Sequence, residues 1–274
     1  MDLSLLLGGK AKPAVPVKVL RCGGAHAAWA HWQGSRQEQQ DACGVFCSGS
    51  LLLGAVADGM GGLAQGALAA QAAIDACARE AGTLTQRPLE FDALQAALLR
   101  VNRAVHDASC AGNAPHGGAG ANTPLSGTTL VAAAVQQGSL RLMWSGDSRA
   151  YLWRRGKLIA LTFDHNYRRQ LMALVAEGVI SQEQARMHPK GGHLTGYLGL
   201  RELRDYSISG TSTAVARGDV LLLCTDGLYR TLGESGLRKY LSLDAEKAAG
   251  GLINAVVRAN LPSQDNATAC VVQF

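Results

Sequence analysis

Apolar stretches alternate with polar and glycine-rich turns along most of this chain, and their lengths predict a mixture of strands and helices. The predicted strands are 19–32, 44–48, 51–57, 128–135, 139–145, 150–154, 157–161, 205–210, 219–225 and 267–274. The predicted helices are 62–81, 88–108, 166–177, 181–187 and 244–259, with Ser242 as the expected cap of the last one.

The short turns between the four strands of residues 128–161 predict an antiparallel meander. Strands and helices come largely in separate groups, which is typical of an α+β fold. Two mainly antiparallel sheets stacked face to face, with helices covering the outer faces, would accommodate this order.

Composition supports a single folded unit. The chain has 274 residues, of which 47% are hydrophobic, and no repeat or shift in composition divides it. Residues 19–274 are therefore predicted to form one domain that follows a flexible lead-in at 1–18.

The net charge of +5 is mild, and no basic stripe is interleaved with the few aromatic residues. No apolar run approaches the roughly 18 residues of a membrane span. We expect a monomer that binds neither nucleic acid nor a membrane.

Seven cysteines occur, an odd number, and none belongs to a Cys-x-x-Cys motif. Several lie in or beside predicted strands, so we interpret them as reduced core residues rather than as a disulfide framework or a zinc site. A cytoplasmic location is the expectation that follows from reduced cysteines.

Acidic turns at strand ends are the strongest indication of function. Asp58, Asp147, Asp226 and Asp265 each follow or precede an apolar strand. A single Asp at a strand end most often belongs to a plain turn. Four such carboxylates at one sheet rim would repel each other, and cations would have to neutralise them. Carboxylate oxygens are the ligands that Mg²⁺ and Mn²⁺ prefer.

The motifs that contain these turns, taken in order, resemble the protein phosphatase 2C (PP2C) family of metal-dependent serine/threonine phosphatases. The resemblance extends from about residue 34 to the last residue, and 177–199 is similar to the flap of bacterial members. The motifs are Gly34-Ser35-Arg36 to Gln40-Asp41-Ala42, Asp58-Gly59-Met60-Gly61-Gly62, Ser126-Gly127-Thr128-Thr129, Gly146-Asp147-Ser148-Arg149-Ala150-Tyr151, Thr225-Asp226-Gly227-Leu228 and Asp265-Asn266.

The resemblance implies a four-layer α/β/β/α sandwich with a metal centre at one end of its two sheets. Asp58 would bridge two divalent cations, Mn²⁺ or Mg²⁺, and the carbonyl group of Gly59 would bind one of them. Asp226 and Asp265 would hold the other cation. Asp147, together with Asp226, would bind a third and weaker ion.

The resemblance also implies roles for the segment before the first of these aspartates. Arg36 precedes Asp41 by five residues, the family spacing, and would clamp the substrate phosphate with its planar, charged fork. Asp41 and Gln40 would lie in the second shell of the metals. Gln40 removes a negative charge that some members carry there. Met60 replaces a histidine that some members carry as a proposed general acid.

The implied activity is hydrolysis of phosphoserine and phosphothreonine in proteins by a water or hydroxide that bridges two cations about 3.5–4 Å apart. A phosphorylated protein and a bacterial serine/threonine kinase of opposite action are the expected partners. Two alternatives stay open: a non-catalytic relative that binds phosphoproteins, and a phosphodiesterase or nuclease that uses the same ions. Gly146-Asp147-Ser148 superficially resembles a serine-protease turn, but no suitable histidine motif precedes it.

Overall fold

Two stacked antiparallel sheets form the centre of the molecule, which is known from a computed structural model that describes residues 15–62, 64–111 and 126–274. The first sheet has the strand order β1-β2-β13-β12-β8-β9. The second has the order β10-β7-β6-β4-β3, with β11 paired to β7 and β5 paired to β4. The helices lie outside this pair of sheets, so the predicted α/β/β/α architecture is confirmed.

The described strands have these bounds: β1 Lys18–Cys22, β2 Ala25–Trp32, β3 Asp41–Ser48, β4 Leu51–Gly61, β5 Ser126–Thr128, β6 Leu130–Gln136, β7 Ser139–Ser145, β8 Arg149–Arg154, β9 Lys157–Ala160, β10 Ser207–Ile208, β11 Thr213–Ala214, β12 Val220–Cys224 and β13 Ala267–Gln273. The described helices are α1 Gln65–Leu84, α2 Phe91–Ala111, α3 Tyr167–Ala176, α4 Gln182–Met187, α5 Asp226–Arg238 and α6 Ala245–Ala259.

Side-chain alternation along the central strands divides the core into layers. Along β4, Leu51 and Leu53 pack towards α1 and α2, whereas Leu52 and Val56 pack between the sheets. This follows from the two-residue period of a strand, which sends successive side chains to opposite faces. Because β4 is covered on both faces, its sequence is a nearly continuous apolar run. The rigid strand fixes the position of a polar residue at its end, where functional sites commonly lie.

The predicted meander over residues 128–161 is wrong in one respect. β6 and β7 pair in the second sheet, but β8 and β9 belong to the first sheet, where β8 pairs with β12. The chain crosses between sheets at 146–148, and Gly146 has a φ of 108°, which favours glycine. Hydrophobic periodicity reports that a strand is buried and does not report which sheet buries it.

Helix α5 was not among the predicted elements, and the cap of α6 is another residue than expected. Gly227, Gly233 and Gly236 make the α5 segment a poor helix former in isolation. Its buried Leu228 and Leu237 pack under the first sheet, and tertiary packing therefore decides the outcome. In α6 the side chain of Asp244, not of Ser242, accepts a hydrogen bond from the Lys247 amide and caps the helix.

The cysteine interpretation is corrected by a disulfide bond between Cys22 and Cys47, whose Cα atoms are 5.8 Å apart. β1 and β3 are edge strands of different sheets, and stacking brings these two edges together. This proximity is a tertiary property that neither the odd cysteine count nor the motif search could show. The other five cysteines are free.

Two residues of the predicted lead-in contact the folded core, while the domain bounds themselves stay a prediction. Residues 1–14 of the predicted lead-in lie outside the described residues, but Val15 and Val17 pack against the core under α6. Within the described part of the chain, no helix combines the length and apolar character needed to cross a membrane.

Candidate metal centre and active site

Five aspartates converge where strand ends of the two sheets meet. Asp41 begins β3 and lies directly opposite Asp58 near the end of β4. Asp226 follows β12, Asp265 precedes β13, and Asp147 lies in the crossing between the sheets. The charges of the other four carboxylates all act on Asp58 and raise its pKa, so the structure brings the predicted acidic turns together.

The convergence has a clear electrostatic signature. Burial, followed by repulsion from Asp41 and its acidic neighbours, raises the pKa of Asp58 well above its usual value. Burial raises the pKa of Asp41 to about 7 and that of Asp147 to about 6. The pKa of Asp226 is also raised, again chiefly by burial. Carboxylates crowded in this way become stable as anions only when cations are added.

Asp41 is held by two threonines from the first sheet. The hydroxyl groups of Thr225 and Thr268 donate to Asp41 Oδ2 at 2.8 and 2.7 Å. The other oxygen, Oδ1, is buried and has no hydrogen-bond partner. A buried acceptor of this kind requires a donor, and an ordered water is the natural one.

Asp58 and Gly59 are positioned by close backbone packing. The Asp58 amide donates to Thr129 Oγ1 at 3.1 Å, and the Asp58 carbonyl accepts from the Thr129 amide at 2.9 Å. At Gly59 a methyl group would overlap the carbonyl oxygen of Gly66 in α1. Glycine is thus required here by the close approach of helix and strand, and the Gly59 backbone is fixed beside the carboxylate.

Asp226 and Asp265 lie in two turns that touch. A methyl group at Gly227 would overlap the carbonyl oxygen of Asn266, so the turns approach more closely than any other residue would allow. Asp226 Oδ1 is buried without a hydrogen-bond partner, as is Asp41 Oδ1. Two unpartnered carboxylate oxygens among five aspartates are the donor set that a hard divalent cation takes.

The loop that carries Arg36 and Gln40 is tied to the Asp265 turn by Asn266. Asn266 Oδ1 accepts from the Gln40 amide at 2.8 Å, and its Nδ2 donates to the carbonyl oxygens of Gln33 and Glu38 at 2.6 and 3.0 Å. One amide side chain therefore satisfies three backbone groups of this loop. Its role was not predicted, although Asp265-Asn266 was recognised as a motif.

Arg36 borders a cleft of about 570 Å³ that contains Asp58, Gly59, Met60 and Asp265. Its Nη2 donates to Asp265 Oδ2 at 2.7 Å, and the Arg36 side chain is 61% exposed. The guanidinium thus lies at the mouth of the cleft, on the same side as the carboxylates. An exposed pair of this kind is weak and can exchange its carboxylate for another anion.

Asp147 is fixed from the side of α5. The Tyr229 hydroxyl donates to the Asp147 carbonyl oxygen at 3.1 Å, and the Arg149 guanidinium lies 3.8 Å from the centre of the Tyr229 ring. Arg230 Nη2 donates to Asp147 Oδ2 at 2.9 Å. A smaller cavity of about 190 Å³ lies here and also contains Asp58 and Asp226.

Across the described ranges, no three carboxylate, imidazole or thiolate groups are already arranged as a metal site. Asp265 contacts Arg36, Asp147 and Asp226 contact Arg230, and Asp41 contacts two threonines. Bound cations would therefore have to replace some of these contacts by small side-chain rotations. The unpartnered oxygens of Asp41 and Asp226 show that the residues nevertheless fit a divalent metal.

Sequence comparison decides the family. A profile described as protein phosphatase 2C matches residues 31–249. The chain belongs to the protein phosphatase 2C family. This confirms the family resemblance found in the motifs.

Relatives within this family agree in sequence and fold. The serine/threonine protein phosphatase PstP of Mycobacterium tuberculosis is 33% identical over 234 residues, which are 83% of this chain and 41% of that protein. This chain thus spans about two fifths of the length of that relative. A serine/threonine phosphatase of Mycobacterium smegmatis is 31% identical with a TM-score of 0.70, over 90% of this chain and 97% of the other.

A second solved structure contains metal ions. The catalytic domain of PstP in complex with two manganese ions is 28% identical to this chain with a TM-score of 0.69, over 94% of this chain and 99% of the other. That related catalytic domain binds a pair of divalent cations.

Proposed function

We propose that this chain is a protein serine/threonine phosphatase that hydrolyses phosphoserine and phosphothreonine. Family membership supports the reaction class, and the PstP complex with two manganese ions supports a pair of divalent cations. The observation that carries the proposal is the convergence of five aspartates, two of them with unpartnered buried oxygens, beside a cleft that bears an exposed arginine. Mn²⁺ or Mg²⁺ suits an all-oxygen site of this kind.

The proposed metal-binding residues are four of the five that the sequence predicts, and the fifth, Asp147, contacts Arg230 instead. Asp58 would bridge two ions, Gly59 would offer its carbonyl oxygen to one, and Asp226 and Asp265 would hold the other. When bound, such a pair of ions polarises a water molecule and neutralises charge on the phosphoryl oxygens. Asp41 is proposed to act beyond the ions, where its free Oδ1 would accept a hydrogen bond from the attacking water.

Arg36 and Met60 bear on how the substrate phosphate would be bound and how the leaving oxygen would be protonated. Arg36 would exchange Asp265 for two phosphoryl oxygens and fix the phosphorus in the cleft. Met60 borders both cavities but has no proton to donate, so a water molecule would have to protonate the leaving oxygen. Gln40 contributes its backbone amide to Asn266 and adds no charge to the site.

The substrate would be a phosphorylated protein, and a serine/threonine kinase of opposite action is the partner we propose. We expect a monomer. The cytoplasmic location stays a prediction, because the interpretation of the cysteines in predicted strands as reduced, on which it depends, is contradicted at Cys47 by the Cys22–Cys47 bond.

The test is release of phosphate from a phosphothreonine peptide with and without Mn²⁺. We expect Mn²⁺-dependent turnover that falls about 100-fold or more in Asp58→Asn, because loss of a bridging carboxylate removes several kcal/mol of transition-state stabilisation. The matched control is Glu234→Gln, which neutralises an exposed carboxylate on α5 and should keep full activity.

Two results would contradict the proposal. Binding of the phosphopeptide without turnover, unaffected by a chelator, would indicate a non-catalytic phosphoprotein-binding relative. Faster hydrolysis of a phosphodiester than of the monoester would indicate the phosphodiesterase or nuclease alternative.

A further inference from the structure

Arg230 lies between the two carboxylates that were expected to bind a third ion. Its Nη2 is 2.9 Å from Asp147 Oδ2, and its Nη1 is 3.0 Å from Asp226 Oδ2. The side chains of both aspartates are almost completely buried, at 7% and 12% exposure, while that of Arg230 is 55% exposed. The guanidinium therefore enters from the solvent side and closes the gap between two buried anions.

The position of Arg230 follows from helix α5. Asp226 is the first residue of this helix, and Arg230 lies four residues later, one turn along the same face. Asp147 reaches the same point from the crossing between the sheets, where the Tyr229 hydroxyl holds its backbone. Two separate parts of the chain thus deliver carboxylates to one guanidinium.

A guanidinium and a divalent cation cannot share this position. Each of the two carboxylates offers Oδ2 to Arg230, and a cation bound to the same two oxygens would meet a permanent positive charge about 3 Å away. Arginine does not lose its proton at any pH a protein tolerates, so the conflict is resolved only if the side chain moves out.

The two oxygens of Asp226 have different surroundings. Oδ2 contacts Arg230, and Oδ1 is buried without a partner. The arginine therefore occupies one oxygen of Asp226 and leaves the other for the pair of ions in the proposed function. The contact also fixes the carboxylate plane, so Arg230 orients this aspartate as well as neutralising it.

We propose that Arg230 is a built-in cation that replaces the third divalent ion, so that this phosphatase binds two ions and positions Asp147 and Asp226 with its own side chain. This inference rests on the proposed function, because it assumes that the two-ion site exists. It disagrees with the third, weaker ion implied by the family resemblance, and it makes Arg230 a positioning residue of the site.

The test counts bound Mn²⁺ by equilibrium dialysis and, independently, by the loss of the free Mn²⁺ signal in electron paramagnetic resonance. We expect two ions per wild-type chain and three per Arg230→Ala chain, since removal of the guanidinium exposes two carboxylates to solvent. Adding Asp147→Asn to Arg230→Ala should return the count to two. The control Arg238→Ala, which removes an exposed arginine at the end of α5 beyond the kink at Gly233, should bind two.

A second arm covers the case in which Arg230→Ala does not fold. Asp147→Asn in an otherwise wild-type chain should still bind two ions, because Arg230 already excludes the third. A count of three in the wild type that falls to two in Asp147→Asn would overturn the inference. A count of two in a folded Arg230→Ala would also overturn it. A wild-type chain that binds no Mn²⁺ would instead refute the two-ion site, and this inference with it.

Discussion

Asp41 illustrates how single side chains prepare this site for cations. Two threonine hydroxyl groups fix one of its oxygens, the other lies unpartnered, and burial raises its pKa to about 7. Asp147 behaves similarly, with a pKa of about 6, and Asp58 is raised as well. These carboxylates cost folding energy when ionised, and that cost is what a bound cation removes.

This yields a prediction for the effect of pH on the metal-free protein. For a carboxyl whose folded pKa lies above its unfolded value of 3.8, the contribution to stability is complete below that value and is lost as pH rises through the folded pKa. We therefore expect the unfolding midpoint of the chelator-treated protein to fall between about pH 4 and about pH 7. Circular dichroism melts at several pH values would measure it.

Saturating Mn²⁺ should abolish this fall, because bound cations favour the ionised carboxylates. Asp41→Asn, which cannot ionise, should show a shallower fall than the wild type in chelator. A metal-free midpoint that stays level or rises between about pH 5 and about pH 7 would show that these carboxylates do not have raised pKa values.

Strands and helices bring the acidic residues to one place. β3 and β4 are paired so that Asp41 and Asp58 face each other, and the first turn of α5 presents Asp226. Away from the site, the disulfide joins the edge strands β1 and β3, which belong to different sheets. It closes a loop with a sequence separation of 25 residues, and so limits the freedom of the unfolded chain.

Removing this disulfide should lower the free energy of unfolding by about 3.5 kcal/mol, the loop-closure value for this length. Urea denaturation of Cys22→Ser/Cys47→Ser against the wild type would measure the change. Reductant should destabilise the wild type and leave the double variant unaffected. A thiol titration of the denatured, unreduced wild type should find five free thiols. Seven would mean that the bond is absent.

The site depends on the stacking of the two sheets. Asp41 and Asp58 come from the second sheet, Asp226 and Asp265 from the ends of strands in the first, and Asp147 from the crossing between them. Neither sheet alone carries all five aspartates. We infer that folding of the whole domain and binding of cations are coupled, as expected when a site is preformed only in the native state.

The sequence was informative where the signal is local. Strand ends, turn residues and motif order predicted the convergence of Asp58, Asp226 and Asp265, and the family they indicated is confirmed. Helix α5 was missed because its glycines lower the helix propensity of the segment, whereas tertiary packing stabilises the helix in the folded protein. Because α5 was not predicted, the spacing of four residues between Asp226 and Arg230 did not indicate a contact. On a predicted helix, the same spacing would have predicted it.

Other features could not be predicted because they depend on distant parts of the chain. The donation of Thr225 and Thr268 to Asp41 joins residues separated by 184 and 227 positions. The assignment of β8 to the first sheet and the pairing of Cys22 with Cys47 likewise follow from stacking. No periodicity along one strand encodes which second strand or edge will lie beside it.

The most direct test of the central claim is a crystal structure of the Mn²⁺-loaded protein with anomalous diffraction at the manganese edge. We predict two manganese peaks that share Asp58, one also contacting the Gly59 carbonyl oxygen and the other contacting Asp226 and Asp265. Arg230 should remain on Asp147. Peaks elsewhere, or no peak between Asp58 and Asp226, would contradict the account.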